Sequence, residues 1–168
     1  MTSADFAAVQ DLERAAGEQF RQVDMAAIAE DEPLSDEELQ GFVDSGWAWV
    51  LVPDEGAAHD DGVVAYAVGE LLDEAAHLEQ LSVDPGHARQ GLGARLVQHL
   101  RDTARQRGFT RVSLTTFADV PWNASYYARL GFRILPEEDW GPEVRARVAE
   151  EATHGLDRWP RVVMVAEV

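Results

Sequence analysis

An α/β or α+β domain on a mixed sheet is the fold class that this 168-residue chain predicts. Two observations point there. Helical apolar spacing and a strand meander fill the first half, and the second half reads strand, helix, strand, helix, strand.

The first helix is expected from Thr2 or Ser3 to Phe20, because Phe6, Val9, Leu12, Ala16 and Phe20 recur at three- and four-residue spacing. A second begins near Ser35, where Ser35-Asp-Glu-Glu38 is a capping box ahead of Leu39, Phe42 and Val43. Trp47–Val52 and Val63–Glu70 read as a hairpin around a polar turn, Pro53–Gly62. After the turn at Leu72-Asp-Glu-Ala, Ala76–Val83 is a third strand, ended by Asp84-Pro-Gly86. Gly91 and Gly93 open an amphipathic helix through Leu92, Leu96, Val97 and Leu100 that Gly108 stops. Arg111–Phe117 is a strand, Asn123–Leu130 a short helix with Gly131 as its C-cap, and Phe132–Leu135 a strand. A helix over Glu143–Ala152 and a last strand, Val162–Val168, complete the series. No repeat or linker divides the chain, so one domain over residues 1–168 is expected.

Composition narrows the function. The net charge is −17, and residues 1–76, with 19 acids and two arginines, hold the whole excess. His77–Leu135 instead carries eight arginines against four acids. So acidic a chain is a poor duplex binder, whereas a small basic pocket for a phosphorylated ligand stays open. The absence of cysteine excludes disulfides, thiolate metal sites and cysteine nucleophiles. The five histidines show no metal-ligand spacing, and each reads as solvated or capping. With no apolar run of about 18 residues and no signal-peptide pattern, a cytoplasmic protein with no nucleic-acid or membrane partner is expected. All 14 basic residues are arginine.

The stretch with most chemical content is Leu78-Glu-Gln-Leu-Ser-Val-Asp-Pro-Gly-His-Ala-Arg-Gln-Gly-Leu-Gly-Ala-Arg-Leu-Val97. A strand enters a loop of glycine and arginine, and the loop enters a helix whose first turn offers unpaired N–H groups to an anion. Leu96 stands where a dinucleotide fingerprint needs its third glycine, and no Walker lysine is present.

This stretch resembles the acyl-CoA-binding motif of the GNAT superfamily of N-acetyltransferases, and Asn123-Ala-Ser-Tyr-Tyr-Ala-Arg-Leu-Gly-Phe132 is similar to that superfamily's second motif. Two motifs in order, about 30 residues apart, are more specific than either alone. The resemblance implies a mostly antiparallel central sheet flanked by helices, with acetyl-CoA as co-substrate and no metal. It places the pyrophosphate on the amides of Arg89, Gln90, Gly91, Leu92, Gly93 and Ala94, and the pantetheine arm along Leu81, Ser82 and Val83. The thioester would lie between Glu79–Val83 and Ser113–Phe117. Asn123 would bond the pantetheine or the chain around it.

Tyr127, in the superfamily's tyrosine position, is the candidate acid for the departing thiolate; the alternative is a ring that only packs its helix. Glu79 is the candidate base, directly or through water, unless it is a plain exposed strand carboxylate. His77 and Asp119 are weaker candidates. Tyr126 belongs to core or rim, and Trp122, Phe117, Trp47 and Trp49 could wall an acceptor pocket. Gly155-Leu-Asp-Arg-Trp-Pro-Arg161 is distinctive without chemistry of its own, and is read as a loop over the acceptor.

Two departures stand out. Ala88 replaces the superfamily's usual Gln or Arg, which leaves the amides intact and Arg89 as the compensating side chain. Helix signal at residue 2 or 3 stands where the superfamily has a strand, so either the chain starts late or the sheet lacks that edge strand. The expected activity is acetyl transfer to a small-molecule or peptide amine by direct attack in a ternary complex. The acidic first half would suit a cationic amine, the alternative being a plain solvated acidic face. The alternatives are a CoA-binding regulatory protein without turnover and an acyltransferase for longer acyl groups. A homodimer is expected by analogy alone.

Overall fold

The apolar spacing of the first segment folds as α1 (Phe6–Gly17) in the computed structural model, which describes residues 1–53 and 62–168. The turn expected over Pro53–Gly62 falls mostly outside the described residues. Phe6, Val9, Leu12 and Ala16 form the buried face of α1. The α-helix ends earlier than the spacing predicts, because Glu18–Val23 tightens into a 3-10 segment that closes on Asp24 at a left-handed φ of 59°. The short α2 (Ala26–Ala29) is too brief for periodicity to reveal. In α3 (Asp36–Ser45) the capping box is formed as expected: Glu38 N–H donates to Ser35 Oγ at 3.3 Å, and Ser35 N–H donates to Glu38 Oε2 at 2.8 Å.

Six strands follow: β1 (Ala48–Leu51), β2 (Ala65–Leu72), β3 (Ala75–Val83), β4 (Arg111–Phe117), β5 (Arg133–Ile134) and β6 (Arg161–Glu167). They are ordered β1-β2-β3-β4-β6-β5 in one sheet; β1–β2, β4–β6 and β5–β6 pair antiparallel, and β3 runs parallel to β4. The helices α4 (Leu92–Gln106), α5 (Ala124–Arg129) and α6 (Pro142–Thr153) complete the mixed architecture. β1 is an edge, and among the described residues no strand precedes α1. The described residues group into two compact bodies, Met1–Gly69 with Gln80–Gln98 and Glu70–Glu79 with His99–Val168.

In the first body, Phe6, Val9, Leu12, Leu39, Ala48, Tyr66 and Val68 form the core. A polar knot enters it. Tyr66 Oη donates to Glu13 Oε2 at 2.5 Å and Gln80 Nε2 donates to Glu13 Oε1 at 2.9 Å, so the carboxylate joins α1 to β2 and β3. Burial pushes both the Glu13 carboxyl and the Tyr66 phenol up, and the hydrogen bonds offset what an unpaired carboxylate would cost there.

The second body is built on the seven-residue β4–β6 ladder, Arg111↔Glu167 through Phe117↔Arg161. Val144 of α6 packs against Leu72 and Val163. The first turn of α6 is capped from a distance: Glu143 and Val144 N–H donate to Asp73 Oδ1 and Oδ2 at 3.1 and 2.9 Å, and Asp73 N–H donates back to Glu143 Oε2 at 2.5 Å. The carboxylate in the β2–β3 turn thus does what an N-cap side chain does, since Gly141 at the N-cap has none. Asp73→Ala should cost about 1–2 kcal/mol of stability by urea denaturation, with Asp73→Asn retaining part of it. Equal stability of all three forms would rule out this cap.

Candidate active site

The turn after β3 has the backbone of an anion cradle. Asp84 N–H returns to Val64 O at 2.9 Å, and His87 Nδ1 lies 2.8 Å from Asp84 Oδ2, which is the capping role expected of a histidine. Arg89 and Gly91 both take positive φ, 63° and 80°. Gly91 carries that conformation without strain, whereas at Arg89 it is rare for a side-chain-bearing residue. Alternation of this kind turns successive N–H groups to one side. The first helical bond of α4 runs from Arg95 N–H to Gly91 O at 3.0 Å, which leaves the N–H groups of Leu92, Gly93 and Ala94 without a helical acceptor. Arg89, Gln90 and Gly91 are exposed, Leu92 and Ala94 half-buried and Gly93 buried. At Gly91 a Cβ would meet nothing within 4 Å, so the cradle is open there. Just before the turn, Leu81 and Val83 are half-buried and the Ser82 side chain is buried.

In the other body, α5 carries the second motif. Asn123 O accepts from Tyr126 and Tyr127 N–H at 2.9 and 3.1 Å, and Gly131, at φ 86°, ends the turn as expected. The Asn123 side chain makes no capping bond to its own helix. The Tyr127 ring packs edge-on against Phe132 (5.7 Å) and Tyr126 (5.3 Å), and no hydrogen bond to its hydroxyl occurs among the described residues. Burial, then the neighbouring Tyr126, pushes the Tyr127 phenol well above its ordinary range, so at neutral pH it keeps its proton. Tyr126 lies half-buried with the Arg129 guanidinium 5.8 Å from its ring, a rim position.

Glu79 is three-quarters buried and not the plain exposed carboxylate that strand alternation left open. The parallel ladder runs Ala76↔Val112 to Leu78↔Leu114, and Glu79 is the next residue on β3. Arg147 of α6 reaches it, Nη1 to Glu79 Oε1 at 3.5 Å, while Nη2 pairs with Glu70 on β2. Neither Glu70 nor Arg147 was singled out from the sequence, although an acid interrupting the apolar run of β2 is a visible signal. His77 corrects the expectation of solvated histidines: it is 1% exposed, with Nδ1 2.9 Å from Ser113 Oγ. Burial, then Arg147 and Arg161, holds its pKa down at about 3, so the ring is neutral and makes a poor base.

Trp47 is buried and meets Trp49 edge-on at 5.8 Å; Asp119 is exposed. Phe117 meets Trp159 edge-on at 6.1 Å and lies under the Arg161 guanidinium at 4.7 Å. The segment Gly155–Arg161 is therefore packed on the end of β4, and with Val148 and Glu151 of α6 it lines a cavity of about 200 Å³. Among the described residues no group of three or more His, Asp or Glu could hold a metal ion, and no helix is long and apolar enough to cross a membrane.

The main-chain amides after β3 form a cradle suited to a diphosphate, and the protonated Tyr127 phenol has no hydrogen-bond partner among the described residues. The chain belongs to the acetyltransferase (GNAT) family, whose profile matches residues 8–132. Over 73 residues, 44% of this chain and 49% of the relative, it is 34% identical to the ribosomal protein bS18 alanine N-acetyltransferase of Salmonella typhimurium. It thus spans about half the length of the curated relatives that it matches. The fold is that of the ribosomal-protein-S18-alanine N-acetyltransferase of Escherichia coli (TM-score 0.66, 19% identity, 100% of this chain and 90% of that one). It also matches the Neisseria gonorrhoeae N-acetylglutamate synthase complexed with coenzyme A and N-acetyl-glutamate (TM-score 0.71, 20% identity, 99% of this chain and 33% of that one).

Proposed function

We propose that the chain transfers the acetyl group of acetyl-CoA to a primary amine by direct attack in a ternary complex. The observation that carries this reading is the cradle: positive φ at Arg89 and Gly91 leads directly into the three N–H groups of Leu92–Ala94. Those amides would hold the pyrophosphate, with Arg89 adding charge where Ala88 offers none. Main-chain groups of Leu81–Val83 and the Asn123 amide would hold the pantetheine.

Acetyl-CoA supplies the activated thioester. The acceptor arrives as an ammonium, which has no lone pair. One proton passes from its nitrogen to a Glu79 carboxylate oxygen, directly or through water, and frees that pair. The C–N bond forms as the C–S bond breaks, and Tyr127 donates its hydroxyl proton to the leaving sulfur. The nitrogen sheds a second proton on becoming an amide. One of these two protons restores the Tyr127 hydroxyl, which has given its own to the CoA thiol, and the other is released to solvent.

The acceptor is proposed as a peptide N-terminal or small-molecule amine. A named relative acts on an alanine of a ribosomal protein. Release of CoA thiol from acetyl-CoA should be followed with an alanine-led peptide, a polyamine and an aminoglycoside. Turnover on at least one amine is expected, and faster reaction of cationic acceptors at low salt would follow from the acidic first half of the chain. Tight acetyl-CoA binding with no turnover on any amine would instead select a CoA-binding regulatory role. Turnover only with longer acyl-CoA donors would select the broader acyltransferase.

A further inference from the structure

Arg147 lies at the centre of a set of carboxylates that the proposed reaction does not explain. Its Nη2 pairs with Glu70 on β2, and its Nη1 lies 3.5 Å from Glu79 Oε1 on β3 and 3.6 Å from Glu150 Oε2 on its own helix. The side chains of Arg147, Glu70 and Glu79 are 25%, 26% and 22% exposed, so the group is neither a solvated surface pair nor sealed in the core. Glu150 is 59% exposed and stays with solvent, so at depth one guanidinium faces two carboxylates, which favours a proton held on one of them. We propose that Arg147 and Glu70 are positioning residues that hold Glu79 in a proton-sharing carboxyl pair, and that this pair sets the pH at which the amine is deprotonated. The proposal rests on the reading of Glu79 as the base.

The charges around the pair are consistent with this role. The Glu70 carboxyl is raised to about 7: burial raises it most, Arg147 lowers it, and the charge and hydrogen bond of Glu79, then Glu150, raise it further. Glu151 lies on the same helix, and its salt bridge to Arg161 (2.7 Å) spends that acid on another cation. His77 is neutral and bonded to Ser113, so it contributes no charge. A second acid and a shared cation beside Glu79 bias how readily it takes a proton from an ammonium. The fold also explains how Arg147 is held there, because the Asp73 cap fixes the start of α6.

Two measurements test this. In the first, the pH dependence of kcat/KM is followed for the wild type, Glu70→Gln, Arg147→Met and Arg147→Lys, with the best amine of the panel. Removing the neighbouring negative charge in Glu70→Gln should move the acid limb to lower pH by about one unit or more, and removing the cation in Arg147→Met should move it up. Arg147→Lys should restore the limb towards the wild-type position. A merely structural role lowers rates without moving the limb, and coincident limbs in all four proteins overturn the proposal. The second measurement needs no substrate. Carboxyl ¹³C resonances of the glutamate-labelled protein, assigned with Glu70→Gln and Glu79→Gln, should show the Glu70 carboxyl titrating near pH 7 and moving down in Glu79→Gln, which removes the neighbouring charge. A Glu70 carboxyl that titrates in the ordinary range and does not respond to Glu79→Gln overturns the pair even if acetyl transfer is confirmed. Absence of turnover on any amine, with the Glu70 response present, instead overturns the acetyltransferase reading and, with it, the catalytic role given to the pair.

Discussion

Tyr127→Phe is expected to lower kcat for amine acetylation at least about 100-fold, the usual contribution of a positioned general acid, while the affinity for acetyl-CoA changes little. The ring keeps its contacts with Phe132 and Tyr126 in this variant, because both are made by the ring and neither by the hydroxyl. Stability should therefore be preserved. The phenol is a suitable donor because its burial keeps it protonated, so the alkaline fall of the wild-type profile should not appear below the ordinary range of a tyrosine. A donor with a more acidic thiol leaving group needs less help from an acid. With such a thioester the deficit of Tyr127→Phe should shrink. Unchanged turnover with acetyl-CoA would remove Tyr127 from the mechanism and leave it a packing residue.

Gly91→Val should raise the KM for acetyl-CoA about 10- to 30-fold, with kcat at saturation within about threefold of the wild type. At φ 80° valine is in the left-handed region, which costs a β-branched residue about 1–2 kcal/mol, and the loop relieves that strain by moving the amides of the cradle. Since a Cβ at Gly91 meets no neighbour within 4 Å, backbone conformation and not a clash is the cause. S-acetylpantetheine, which lacks the pyrophosphate, separates the two: its kinetics should be the same with Gly91 or Val at this position. Equal losses with both donors would mean that the loop does not bind the pyrophosphate.

Most of the fold was legible in the sequence where its determinants are local. The Ser35–Glu38 box, the glycines that open α4 and the Asn123–Gly131 turn each fix a backbone within one or two helical turns, and each formed as expected. The 3-10 ending of α1 and the four residues of α2 were not, because such short pieces carry no period and are held by their surroundings.

The candidate site divides the same way. Its anion cradle is a contiguous strand, turn and helix, and Tyr127 sits in a contiguous motif, so both are written along the chain. The environment of the candidate base is not. Glu79 meets an arginine 68 residues away, and the same arginine meets Glu70 across 77 residues; the Asp73 cap spans 70, and the Glu13–Tyr66 bond 53. His77 read as solvated or capping on sequence grounds, and packing between β3 and β4 made it buried and neutral instead. The sequence by itself determined the order of elements, the cradle and the tyrosine, since hydrogen bonds and dihedral preferences between near neighbours specify them. Only the tertiary structure decided which charges share a desolvated space, because the energy of a buried charge depends on partners that the fold brings together from distant parts of the chain.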